Sequence, residues 1–130
     1  MGRRQVKFAV KPYHTRGGEQ PIITVLGDLK KTQPVLGKLL EAGIRKLADR
    51  ANHGPPLTEH VDRENGILEP RVGHKDIARA FFFFERGREI IVTNGYVKKG
   101  QKLDRLALKK AQELLKKAQE FKKDWEERFP

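Results

Sequence analysis

The sequence predicts an α+β fold, a small β-sheet flanked by helices, from three observations. Between Ile67 and Asn94 lie three strand-like runs, the second and third joined as a hairpin. A leucine-rich stretch ahead of them repeats at spacings of three and four, and from about Leu103 the chain reads as one long amphipathic helix.

The elements follow in order. From Gln5 to Tyr13, Val6, Phe8 and Val10 alternate with Lys7, Ala9 and Lys11, the period of a strand with one buried face. Pro21 then suits a first helical position, so Pro21 to about Leu29 reads as a short helix. A strand competes there, because Ile22, Ile23, Thr24 and Val25 are all β-branched and Gly27 weakens a helix. Pro34 opens a clearer helix with Leu36, Leu39, Leu40, Ile44 and Leu47 on one face, ending near Asn52. His53 to Gly66, with Gly54, Pro55, Pro56 and the Asn65-Gly66 pair, reads as loop.

Three strands follow: Ile67 to Val72, Ile77 to Glu85 and Glu89 to Asn94, with a turn at Arg86, Gly87 and Arg88. The middle one is apolar on both faces. Phe81 and Phe83 share a side with Arg79, and Phe82 and Phe84 share the other with Ala78 and Ala80, as expected of a central strand covered twice. These phenylalanines are read as core rather than as stacking platforms for nucleobases, which need exposed rings. In the last helix Ala107, Ala111, Leu114, Ala118, Phe121 and Trp125, widened by Leu108 and Leu115, form the face that packs on the sheet.

Composition narrows the function. The 130 residues suit one domain, and 28 Lys and Arg against 17 Asp and Glu leave a net charge of +11, which favours polyanionic partners. There is no cysteine, and the four histidines are not spaced as a zinc motif, so neither disulfides nor a metal site is expected. No run is apolar enough to span a bilayer, and the basic start leads into Lys11, Pro12 and Tyr13 instead of a signal-peptide core, so a cytoplasmic protein is expected. No glycine-rich phosphate loop occurs, and no small-molecule cofactor is expected. Serine is absent as well as cysteine, which makes a covalent triad improbable.

What remains is a concentration of Arg71, His74, Lys75, Arg79, Tyr96, Lys98, Lys99 and Lys102 around the sheet. Such a set can cleave RNA without a metal, because RNA carries its own nucleophile in the 2′-hydroxyl. The protein must position that hydroxyl, accept its proton and neutralise charge on the scissile phosphate. Arginine suits the last task, and histidine, tyrosine or a lysine of lowered pKa suits proton transfer.

The segments ILEPR at 67–71, IARAFFFF at 77–84 and IIVTNGYVKKGQK at 90–102, followed by a basic alanine-rich helix, resemble the RelE/HigB superfamily of bacterial toxins. Within it they are most similar to the phage-derived HigB-like branch. The order of elements matches over about residues 5–125, and the motifs lie within 67–111. The resemblance implies a curved antiparallel sheet with helices packed on one face and a basic groove on the other. It further implies a type II toxin-antitoxin system whose toxin is a ribosome-dependent endoribonuclease, an mRNA interferase that leaves a 2′,3′-cyclic phosphate and is neutralised by a cognate antitoxin.

Carried over by position, Arg71 matches the arginine ending a strand, Arg79 the central-strand arginine that contacts phosphate, and Lys98 and Lys99 the basic pair after the last strand. Arg71 equally suits pairing with Glu69 or Glu85. Catalysis is thereby assigned to Arg79, Lys98, Arg71, Tyr96 and His74, and RNA binding to Lys75, Lys99 and Lys102. The chain departs from the pattern at Ala78, at Pro70, which argues for an edge strand or bulge, and in having no tyrosine on the last helix. The general base is therefore open among His74, Tyr96 and Lys98. Two other functions fit the same charge: a toxin of this fold that poisons gyrase, and a non-catalytic RNA-binding or ribosome-associated module.

Overall fold

The computed structural model describes residues 7–100 and 104–130. Its elements are β1 (Ala9–Pro12), α1 (Pro21–Thr32), α2 (Pro34–Lys46), β2 (Thr58–Asp62), β3 (Ile67–Gly73), β4 (Ile77–Glu85), β5 (Glu89–Lys98) and α3 (Arg105–Arg128). The expected α+β class is what the chain adopts. One open five-stranded sheet runs in the order β1-β5-β4-β3-β2, antiparallel throughout except for β1, which pairs in parallel with β5.

Local chemistry explains most boundaries. Helix wins over strand at α1 because Ile22, Leu26 and Leu29 fall on one buried face at helical spacing. α1 ends at Thr32 because Gln33, the residue before Pro34, is driven out of the helical region to φ −140° and ψ 77°. Pro34 then opens α2 at its first turn, where a missing N–H costs nothing. α2 stops at Lys46, earlier than expected, and a short 3₁₀ turn covers Arg50–Asn52. The hairpin turn falls at residues 86–88, where Gly87 and Arg88 take left-handed φ of 71° and 59°.

One strand was hidden. β2 lies within the stretch expected to be loop, pairing with β3 through Thr58↔Pro70, Glu59↔Glu69 and His60↔Leu68. As an edge strand it is held by main-chain bonds and buries little, so it carries no apolar alternation. This pairing also makes β3 an interior strand, contrary to the edge position that Pro70 suggested. The β3–β4 register runs from Leu68↔Phe82 to Arg71↔Arg79 and skips Pro70, where no N–H is available to bond. At the other edge the strand is shorter than its alternation. Gln5 and Val6 lie outside the described residues.

The helices divide between the two faces. α1 and α2 cover one, packing Ile22, Leu26, Leu36 and Leu40 on Leu68, Ala78, Ala80, Phe82, Ile90 and Val92. α3 crosses the other, which widens the expectation of helices on one face and meets the need of a central strand apolar on both sides. Its Ala118 meets Ile67 and Phe81, and its Trp125 meets Tyr13, Phe83 and Ile91. The packing starts at Leu114 and runs to Trp125, beyond the first turns of the helix: Leu106 and Leu108 are exposed, contrary to the expectation that Leu108 widened the packing stripe.

A bulge sets up the site. Ala80 lies opposite Gly95 and Phe82 opposite Val92, so β5 carries one residue more than β4 at Thr93 and Asn94. An extra residue inverts the alternation beyond it. Ile90 and Val92 face α1 and α2, whereas Tyr96 beyond the bulge turns to the α3 face beside Phe81. The bulge residues are themselves tied down. Asn94 Nδ2 donates to the Leu114 carbonyl at 3.1 Å, and Thr93 Oγ1 lies 3.2 Å from the Phe81 carbonyl oxygen.

Candidate functional site

On the α3 face four neighbouring strands, β2 to β5, place Glu59, Glu69, Arg71, Arg79 and Tyr96 side by side. Register alone accounts for it: Glu59 opposes Glu69, Arg71 opposes Arg79, and Arg79 opposes Tyr96. Residues two apart on a strand share a face, so Glu69 and Arg71 point the same way.

The charges alternate and meet. Glu69 is 1% exposed, and its Oε1 accepts from Arg71 Nε at 2.9 Å and from Arg79 Nη1 at 3.0 Å. Arg71 Nη2 also reaches Glu59 Oε2 at 3.0 Å. A carboxylate this deeply buried is retained only when cations compensate it, and here two guanidiniums do so. Arg79 further lies 5.8 Å from the centroid of the Tyr96 ring. Among the described residues Glu69 Oε2 and Arg79 Nε are buried without a hydrogen-bond partner.

Arg79 opens into a cleft of about 750 Å³ between the end of β5 and the first turns of α3. Tyr96, Lys98 and Lys99 line it from the sheet, and Asp104, Ala107 and Lys110 from the helix. The stand-off of the first turns of α3 is what leaves this space. Burial foremost, with a smaller push from Glu69, raises the Tyr96 phenol above its ordinary value, while Arg79 and Arg71 pull against that. Tyr96 is therefore a protonated phenol at neutral pH, a hydrogen-bond donor.

The structure brings Arg71, Arg79, Tyr96, Lys98 and Lys99 to one face or one cleft. Lys98 is the last residue of β5, which runs four residues past the expected end at Asn94, and Lys99 follows it. His74 and Lys75 lie apart, in the β3–β4 turn, where they line a shallow groove against Pro34, Val35 and Leu39 at the start of α2. Lys102 lies outside the described residues. Glu69, weighed in the sequence only as a partner for Arg71, proves to hold both arginines. Its signal was the Glu-X-Arg spacing itself, which on a strand puts carboxylate and guanidinium on one face. Lys110, which also lines the cleft, carries no signal in the sequence, because nothing in the helix period marks which turns leave the sheet.

A family model described as Phage derived protein Gp49-like (DUF891) matches residues 27–116, more than half of the chain. The chain belongs to the Gp49-like family. This is a RelE/HigB-type toxin family, so the broader resemblance seen in the sequence holds. The Gp49-like match spans α2 and all of β2 to β5, and so contains Glu69, Arg71, Arg79, Tyr96 and Lys98. No curated protein matches the sequence. Among the described residues no helix is long and apolar enough to cross a membrane.

Proposed function

We propose that this Gp49-like protein is the toxin of a type II toxin-antitoxin pair, acting as one domain over 1–130 and cleaving messenger RNA on the ribosome in the cytoplasm. One observation carries the reading: Arg79, a guanidinium held by a buried carboxylate, opens into a cleft edged by Lys98, Lys99 and Lys110. A phosphodiester drawn into that cleft meets a fixed, planar pair of donors on Arg79 and point charges from the lysines.

The chemistry is attack of a ribose 2′-oxygen on the adjacent phosphorus. The new 2′-O–P bond forms as the P–5′-O bond breaks, giving a 2′,3′-cyclic phosphate and a free 5′-hydroxyl. Arg79, aided by Arg71, neutralises the charge that grows on the non-bridging oxygens. Tyr96, protonated and in the cleft, supplies the proton for the departing 5′-oxygen. Lys98 lines the same cleft two residues beyond Tyr96 and is the remaining candidate to take the 2′-proton, since His74 lines a different groove. Lys75 and Lys99 serve RNA binding, with Lys102 completing the basic segment. The family's toxin character implies an antitoxin partner, and covering this cleft would silence it.

Purified protein added to ribosomes translating a defined transcript tests the reading. Wild type is expected to cut the transcript to products ending in a cyclic phosphate, and Arg79→Ala to leave it whole. An uncut transcript with wild-type protein, or full cutting by Arg79→Ala, overturns it.

A further inference from the structure

We infer that Glu69 is a positioning residue that fixes the guanidiniums of Arg71 and Arg79 for a phosphate in the cleft. The inference rests on the proposed RNA-directed function and adds to it the residue that organises the arginines.

Its basis is geometric. Arg71 and Arg79 sit directly opposite each other on adjacent strands. Two cations so placed repel and would otherwise swing apart toward water. Glu69 lies between them, and one oxygen atom, Oε1, accepts from both. The two bonds use different edges of the two side chains: Nε of Arg71 and Nη1 of Arg79. Glu69 thereby clamps each guanidinium at one atom, and Arg79 so held still lines the cleft. Arg71 is held a second time by Glu59. A fully buried carboxylate is a costly choice if packing were its only task, because an apolar side chain of similar volume fills the same space without desolvation. The unpartnered Oε2 says the same: Glu69 is placed for the two bonds its other oxygen makes.

The positioning role makes a prediction opposite in sign to simple electrostatics. Glu69→Gln removes one negative charge beside the cleft, so a merely attractive surface would bind RNA more tightly. If Glu69 positions the arginines, binding weakens instead, because their forks lose the orientation that lets them bond phosphate.

The test uses the full chain and a short 2′-O-methyl RNA, which cannot be cleaved, so binding is read whether or not the protein is a ribonuclease. Glu69→Gln is expected to weaken its binding about tenfold, the worth of roughly one charge-assisted bond. In the 1H–15N spectrum the Arg71 Nε–H signal, protected by its bond to Glu69, is expected to merge with those of solvated arginines. Glu69→Asp keeps the charge with a shorter reach. It serves where Glu69→Gln does not fold, with binding again expected to fall by about tenfold. On ribosomes, cleavage is expected to drop by about 10²-fold with an unchanged pH profile, the signature of misplacement and not of a lost base. Equal or tighter RNA binding by a folded Glu69 variant, a persistent protected Arg71 signal, or loss of the acid limb of the pH profile would overturn the inference. A wild-type protein that binds the modified RNA but cuts no transcript removes the ribonuclease reading and leaves the binding arm to decide on Glu69.

Discussion

Gly95 lies so close beneath Arg79 that a Cβ at position 95 would sit 2.3 Å from the Arg79 carbonyl oxygen and 3.2 Å from Ala80 Cα. Both of those atoms belong to the backbone of the central strand and cannot rotate aside. The glycine thus lets β4 and β5 approach beside the bulge that turns Tyr96 toward Arg79.

Gly95→Ala is therefore expected to force the two strands apart at the Arg79–Tyr96 pair. Overpacking of this kind costs about 1–3 kcal/mol. A lowered urea midpoint with an unchanged slope checks it. Because the displaced residues are those of the cleft, transcript cleavage should suffer more than stability does. A variant with wild-type midpoint and activity would show that the close approach has no consequence.

At the far end of α3 a second cluster pins the helix to β1. Tyr13 donates to Asp124 Oδ2 at 2.6 Å, and Arg128 Nη2 reaches the same oxygen at 2.8 Å. Burial first, then the bond to Asp124, pushes the Tyr13 phenol from 10.0 up to about 12. A raised pKa means that the folded state favours the protonated phenol. Its contribution is complete below pH 10.0 and is lost as pH rises toward 12. Asp124 works in the opposite sense: its pKa is lowered, chiefly by Tyr13, so its share is lost as the solution is acidified through that lowered value. Tyr13→Phe should cost about 1.5 kcal/mol at neutral pH, as a bond to a charged acceptor does. It should also flatten the alkaline fall in unfolding free energy, measured by denaturant titration at successive pH values. An alkaline limb as steep as that of wild type would show that Tyr13 is not its source.

Asn94 is 4% exposed and makes the bond that ties the bulge to the middle of α3. Asn94→Ala leaves the Leu114 carbonyl without this donor and opens space at the bulge, at a cost of about 1–3 kcal/mol. Below that tie the first turns of α3 have little contact with the sheet, so loosening should concentrate there. Faster amide hydrogen exchange at residues 105–113, with β4 unchanged, is the expected pattern. Uniform acceleration across the sheet would instead mean a general loss of stability.

The sequence showed its helices and central strands through periodicity, because each buries a stripe whose spacing survives in one dimension. β4 was legible to the residue, since Ala78 to Phe83 pack on both faces. β2 was not, because an edge strand is held by main-chain bonds that no side-chain pattern records. Arg79, Tyr96 and Lys98 were visible as part of a cluster of polar and basic residues, yet their convergence was not. A bulge at Thr93 and Asn94 decides which way Tyr96 faces, and a bulge has no fixed residue signature. His74 showed the converse: two residues after the end of a run containing Arg71, it looked adjacent, but the turn carries it to another groove.

Arg79→Lys separates charge from geometry. Lysine keeps the positive charge but offers a single ammonium in place of a planar fork, and it cannot bond Glu69 and a phosphate with the same fixed geometry. The expected result is a folded protein whose RNA binding falls by no more than about tenfold while cleavage falls by about 10²-fold, the scale of one lost preorganised donor. Lys99→Ala, at the exposed rim of the cleft, should instead weaken binding modestly and reduce its salt dependence without a comparable loss of rate. Equal losses of cleavage from both variants would mean that Arg79 acts only as one more charge.

Tyr96 offers the sharpest test of the proposed proton donor. Its phenol is raised above the ordinary value mainly by burial, so the alkaline fall in wild-type cleavage that comes from losing the donor should appear only in strongly alkaline solution, where the phenol ionises. Tyr96→Phe keeps the ring that packs on Phe81 at a centroid distance of 5.8 Å and the face that meets Arg79, while removing the hydroxyl. Stability should therefore change little. Cleavage should fall by about 10²- to 10⁴-fold, the usual span for a general acid. A substrate with sulfur in place of the departing 5′-oxygen leaves without protonation, so it should restore most of the rate to Tyr96→Phe and little to Arg79→Lys. Rescue of both variants, or of neither, would place Tyr96 outside the proton transfer and return its role to packing beside Arg79.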